Sequence, residues 1–391
     1  IDIADLIARE DVVINLTHCG YVKRLPVAEY RAQHRAGQGV IGITTKEEDF
    51  VEKIFVTSTH DTLLFFTNMG KVYSLKGYEI PEASRQAKGR AIINLLQLTP
   101  GEKVTALIPL KENEQGYLMM ATKNGLIKKT ALEEFASIRK VGKIAIKLVD
   151  GDELMSVELT NGSDEILVAT HNGKCIHFAE TDVRAMGRDT QGVKCMDLDD
   201  DDYMVSMIRI KFDKNCEKTH ENCEKTAENE QILTKNENEA QNETMYKVLT
   251  ITENGYGKRS DISNYRLQIR AGKGVKAGVL NDKTGMLVGL KQISQNDDVI
   301  LISDKGTIIR VNGNEISEFN RDSLGVRVMK VMEGEKIVSM AITPTNEDKD
   351  VQAQEEERVE NCEAETGEDN ISATLENKLE NEEFKQENDA E

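Results

Sequence analysis

Seven consecutive residues, Gln33-His34-Arg35-Ala36-Gly37-Gln38-Gly39, pair small residues that let a backbone approach another surface with an arginine whose forked donors suit phosphate oxygens. Alone the stretch is a polar loop, and recurrence gives it weight. Six short apolar runs each end in a turn glycine: Gly20, Gly70, Gly125, Gly173, Gly255 and Gly306. Fifteen residues after each glycine stands Arg35, Arg85, Lys140, Arg188, Arg270 or Arg321. Lys and Arg make up 50 of 391 residues, so a cation at one offset six times is not chance. A belt of equivalent cations is the chemistry a bent polyanion needs.

A second set lies four residues after the glycines: Arg24, Lys129, Arg259 and Arg310, with His177 and Ser74 in the other two units. The double basics Lys23-Arg24, Lys128-Lys129 and Lys258-Arg259 sit on strand-like sequence, where neighbours face opposite ways, so one of each pair is expected to reach a partner. The fifth unit also carries Gln268-Ile269-Arg270-Ala271-Gly272-Lys273-Gly274, a near copy of the first heptad with a second cation at Lys273.

The elements that must hold these cations repeat in the same register. The glycine spacings are 50, 55, 48, 82 and 51 residues, and removing a 31-residue polar insertion brings 82 to 51. Ten residues after each glycine is an apolar residue: Tyr30, Ile80, Phe135, Val183, Tyr265 or Ile316. Nineteen after it is Gly39, Gly89, Gly192, Gly274 or Gly325, the third unit having its glycine at Gly142. Each unit reads as four strands. Two flank the turn, as in Val12–Leu16 and Tyr21–Leu25, and a third follows the second glycine, as in Val40–Thr44. The fourth is the apolar run before the next unit, as in Ile54–Thr57 and Val104–Pro109. Six four-stranded units predict an all-β radial array, since one such sheet cannot bury its own face.

The formal charge of −19 is unevenly spread. Residues 213–243 hold 9 acidic and 4 basic side chains and residues 347–391 hold 18 and 4, which leaves 42 of each sign elsewhere. Aromatic residues nearly vanish from both acidic segments and no periodic apolar pattern survives in them, so they read as a disordered insertion and a disordered tail. The expected domain spans 12–346, with 1–11 a linker from a missing N-terminal part.

Other chemistries find little support. The six cysteines form no Cys-x-x-Cys pair, and the six histidines lack metal-ligand spacing. Gly37-x-Gly39-x-x-Gly42 matches the dinucleotide fingerprint in letters only, without the strand before it and the helix after it. No convergent acid, base and nucleophile set is visible. No run of about 18 apolar residues exists, and Ile1–Glu10 lacks the pattern of an export signal, so a cytoplasmic protein is expected, with no membrane partner.

The chain resembles the C-terminal domain of bacterial DNA gyrase A over Asp11 to Thr343. The resemblance rests on Gly20-Tyr21-Val22-Lys23-Arg24, Glu47-Glu48-Asp49-Phe50, Val149-Asp150-Gly151-Asp152-Glu153-Leu154, Val183-Arg184-Ala185-Met186-Gly187 and Asn254-Gly255-Tyr256-Gly257-Lys258-Arg259. Gln33–Gly39 falls where that family has its gyrase A box, usually Gln-Arg-Arg-Gly-Gly-Lys-Gly; here His34 and Gln38 replace cations and Ala36 a glycine. The resemblance implies a six-bladed β-pinwheel, propeller-like in outline, that wraps double-stranded DNA on a basic rim. Its implied partners are the rest of a homodimeric gyrase A and the gyrase B protein. It implies no cofactor in this chain, ATP and Mg2+ belonging to the rest of the holoenzyme, and no scissile chemistry, since the family's Arg-Tyr-Thr triplet is absent. The C-terminal domain of topoisomerase IV and a propeller that binds proteins are the other readings left open.

Overall fold

A computed structural model describes residues 6–17, 19–26, 51–84, 87–211, 246–295, 297–305 and 307–344, all within one compact unit. The heptad Gln33–Gly39, with Tyr30, Arg85, the strand Val40–Thr44, the acidic insertion and the acidic tail, lies outside the described residues.

The first repeat contains β1 (Asp11–Thr17), β2 (Tyr21–Pro26) and β3 (Val51–Ser58), and the second β4 (Thr62–Thr67), β5 (Lys71–Lys76), β6 (Arg90–Ala91) and β7 (Val104–Leu110). The third has β8 (Tyr117–Thr122), β9 (Leu126–Ala131), β10 (Lys143–Ile144) and β11 (Leu154–Thr160). The fourth has β12 (Glu165–Thr170), β13 (Lys174–Ala179), β14 (Val193–Lys194) and β15 (Met204–Ile210). The fifth has β16 (Lys247–Thr252), β17 (Tyr256–Ser260), β18 (Val275–Lys276) and β19 (Leu287–Ile293). The sixth has β20 (Asp297–Ser303), β21 (Ile308–Asn312), β22 (Val326–Arg327) and β23 (Ile337–Pro344).

These strands form six antiparallel sheets, in the orders β3-β1-β2-β6, β7-β4-β5-β10, β11-β8-β9-β14, β15-β12-β13-β18, β19-β16-β17-β22 and β23-β20-β21. Strand count and boundaries agree with the repeat pattern, but ownership does not. The third strand of the second to sixth repeats, expected in its own sheet, completes the sheet of the repeat before it: Val193–Lys194 pairs with Leu126 and Ile127, and Val275–Lys276 with Lys174 and Cys175. The sixth sheet has three strands among the described residues.

The sheets stand around an axis. Their inner strands β3, β7, β11, β15, β19 and β23 line a central channel of about 540 Å³, walled by Phe55, Leu107, Met155, Val205, Val288 and Val338. The last inner strand packs against the first, which makes the array a ring. The middle strands are apolar at consecutive positions because both faces are buried. In β8, Leu118 and Met120 pack with Leu64 and Phe66 of the second sheet, whereas Met119 and Ala121 pack with Ile166 and Val168 of the fourth. The apolar residues ten after the turn glycine, Ile80, Phe135, Val183, Tyr265 and Ile316, are all buried.

The second recurring glycine now has a cause. At Gly274 φ is +69°, and a Cβ there would lie 2.3 Å from the Cys175 carbonyl of the previous sheet. Its counterpart Gly192 is also close-set, 2.7 Å from the Ile127 carbonyl, so the handed-over strand enters its neighbour only where no side chain intervenes.

Candidate nucleic-acid interface

The double basics lie in β2, β9 and β17, the third strand outward of their sheets. Lys23, Lys128 and Lys258 are 4%, 0% and 2% exposed, so they do not face solvent as the pairing of basics suggested. The Lys128 ammonium donates to Ala145 O (2.7 Å), Thr190 O (3.2 Å) and Arg188 O. Lys258 donates to Ser323 O (2.6 Å) and Arg321 O, and Lys23 to Ala87 O (2.9 Å) and Ser84 O (3.3 Å). Most of these carbonyls belong to the rim loop of a following repeat. Burial pulls Lys128 and Lys258 down to about 8, and the surrounding carbonyl lone pairs favour the charged form, so both are cationic at neutral pH.

The second member of each pair holds the corner of the next repeat as well. Arg24 Nε donates to Ile80 O (2.8 Å), Arg259 Nε to Ile316 O (2.7 Å) and Lys129 Nζ to Glu180 O (3.3 Å). His177, in the same register, has Nδ1 2.7 Å from Tyr265 O and Nε2 2.7 Å from the Glu165 carboxylate. Arg310 is paired with Asp298 inside its own sheet. Apart from Arg310, which is exposed, the described cations of the four-residue register thus form a seam between blades, and neither member of a double basic is left facing outward.

The fifteen-residue register is half outward. Arg270 is partly buried, with Nε donating to Asp182 O (2.9 Å) and a terminal nitrogen to Lys194 O (2.8 Å). Arg321 repeats this on Asn264 O (2.9 Å) and Lys276 O, and Arg188 donates to Ile144 O (2.7 Å). Each guanidinium grips the outermost strand of the preceding repeat at the same position. Lys140 and Lys273 are exposed. Arg35 and Arg85 are outside the described residues.

The exposed cations that recur most evenly were not singled out from sequence. Every described outermost strand carries one: Arg90 in β6, Lys143 in β10, Lys194 in β14, Lys276 in β18 and Arg327 in β22. All but the half-buried Lys143 are exposed. The signal was available as Lys194, Lys276 and Arg327 at twenty-one residues past their turn glycines, but a two-residue strand is too short to show which side chain turns outward. Around them the rim loops are basic in unequal degree. Residues 265–276 hold four cations and no acid, whereas residues 316–327 hold two of each.

A family model described as the DNA gyrase C-terminal domain, beta-propeller, matches residues 11–58, 61–111, 116–161, 164–211, 246–294 and 297–344, one segment per sequence repeat. The chain belongs to this gyrase C-terminal domain family. DNA gyrase A of Clostridium acetobutylicum is 43% identical over 360 residues, 92% of this chain and 39% of that protein. DNA gyrase A of Escherichia coli strain K12 is 41% identical over 341 residues, 87% of this chain and 35% of that protein. The chain thus spans well under half the length of these relatives. Among solved structures, the C-terminal domain of DNA topoisomerase IV matches with a TM-score of 0.68 at 25% identity, covering 86% of this chain and 94% of that one. A DNA gyrase A C-terminal domain matches with a TM-score of 0.61 at 25% identity, covering 85% and 99%. In this member of the family, a six-bladed β-pinwheel, the inner strands stand around the axis and the cation-bearing strands lie farthest out.

Proposed function

We propose that this domain binds double-stranded DNA through its backbone and wraps it along the outer strands, as the C-terminal part of a DNA gyrase A protein. In that setting the wrap presents a DNA segment to the rest of the homodimeric gyrase A, and strand passage driven by ATP in gyrase B introduces negative supercoils in the cytoplasm. ATP and Mg2+ are assigned to those other parts. The observation that carries the reading is the single cation on each described outermost strand, in five of the six sheets, from Arg90 to Arg327. Such a series meets phosphates at successive angles and reads no base, as wrapping of varied sequence requires. Bending a short site costs on the order of 1 to 6 kcal/mol, so several blades must contribute together.

The test is the salt dependence of duplex binding, with linking-number change measured on relaxed circles. Lys194→Ala and Lys276→Ala are each expected to lower the slope of log K against log salt by about 0.9 and to reduce the linking-number change. Unaltered slopes in both remove the reading. The TM-score to the topoisomerase IV domain favours a second reading as the equivalent part of that enzyme. A supercoiling assay on the reassembled holoenzyme separates the two, since only the gyrase reading requires net negative supercoils.

A further inference from the structure

The corner where the fifth blade meets the sixth holds a pocket of whose lining the wrapping reading uses only Arg327. It measures about 480 Å³ and lies between Tyr256 and the segment Lys330–Lys336. Tyr256 is 5% exposed and is the cross-strand partner of Arg327. Its hydroxyl accepts from an Arg327 terminal nitrogen (3.0 Å), and the guanidinium carbon lies 5.4 Å from its ring centroid. Lys283 Nζ lies 5.5 Å from the same centroid. One aromatic ring therefore orients two cations toward a common space, with Lys330 also on its wall.

None of these three cations is held in a direct ion pair with a described residue. Among the described residues no carboxylate is within ion-pairing distance of Lys283, Arg327 or Lys330, whereas Lys336 is paired with Glu253 at 3.1 Å. Of the two acids on the wall, Glu335 is buried and engaged by Ser303 Oγ and Met332 N, and Glu333 is exposed. The equivalent corners of other blades differ. Lys71 lies 3.9 Å from Glu102, Lys174 is paired with Asp199, and the third blade has Leu126 there. Tyr21 of the first blade carries a single cation, Lys88, at 3.9 Å from its ring.

We infer that the Tyr256 pocket is a seat for a phosphate group, held by the Arg327 fork and the Lys283 and Lys330 ammonium groups. A tetrahedral dianion can take a bidentate contact from a guanidinium already fixed by Tyr256, so little ordering cost remains. The phosphate is either one from DNA passing off the rim or one on a free polyphosphate, and only the first source rests on the wrapping reading.

The experiment uses the full chain, its Lys283→Gln/Lys330→Gln double variant and Lys194→Gln as a rim control. Both substituted lysines of the double variant are exposed, so a urea titration should match wild type. Pyrophosphate is titrated calorimetrically and duplex binding is measured against salt. The expected result is saturable pyrophosphate binding that falls at least tenfold in the double variant. A simultaneous fall of about 1 in the DNA salt slope identifies the phosphate as one of the duplex, and an unchanged slope identifies a free anion. Absence of saturable pyrophosphate binding, or equal binding by wild type and the double variant, overturns the seat. The Lys194→Gln slope reports separately on the wrap, so either idea can fail alone.

Discussion

Replacing Lys128 by Met tests whether the buried lysines are structural. The side chain is fully enclosed, and its ammonium is shared among Ala145 O, Arg188 O and Thr190 O. Hydrogen bonds from a charged donor contribute about 1.5–3 kcal/mol each, and the low end applies because two of the acceptors are partly exposed, giving about 4 kcal/mol. Methionine fills similar space and buries more hydrocarbon, which returns about 1 kcal/mol. The expected loss is therefore about 3 kcal/mol, measured by urea titration with circular dichroism, the chain having no tryptophan. The pH dependence supplies a second arm. The folded lysine lies at about 8 and the unfolded one at 10.5, so between those values the unfolded chain holds more proton and stability rises with pH. Wild type should gain on the variant across that window by up to about 1.4 kcal/mol per pH unit, other groups cancelling in the comparison. At temperatures where the variant is folded, its DNA salt slope should equal that of wild type. A loss under about 1 kcal/mol, a gap that does not widen with pH, or a slope lowered by about 0.9 would refute the structural role.

Three further outcomes are expected. Ala271 occupies the left-handed region at φ +68°, so Ala271→Gly should stabilise by about 0.5–1 kcal/mol in the same titration. Arg270→Ala should lower both the urea midpoint and DNA affinity, because the guanidinium grips the strand that carries Lys194; Arg188→Ala should act similarly through Ile144, and an effect on affinity with no effect on stability would contradict the clamp. Deleting residues 347–391, which carry 18 acids and 4 bases, should tighten duplex binding at low salt if the tail competes for the rim; unchanged affinity would reduce it to a solubilising appendage.

The ring was legible because its register is written in residues that backbone geometry demands. Gly192, Gly274 and Gly325 mark close approaches, and the apolar runs around Leu118 and Leu167 mark strands buried on both faces. Ownership of the short strands was hidden, since Val275-Lys276 reads the same whichever sheet receives it. The roles of the cations were hidden for a different reason. Lys258 and Lys276 are both lysines near glycines, and only the fold shows one enclosed by carbonyls and the other outside. A basic residue in a repeat announces an acceptor, and here many of the acceptors are the neighbouring repeat's own backbone.

The handing of a strand to the preceding blade changes what covalent continuity contributes. Between β15 and β16 the chain runs from residue 211 to residue 246, and across that interval the fourth and fifth blades are also joined by β18 in the fourth sheet and by Arg270 on Asp182 and Lys194. A single backbone cut in this interval should leave two pieces that elute together and still bind duplex. The boundary between repeats is consequently a place where length can be added during evolution without opening the ring.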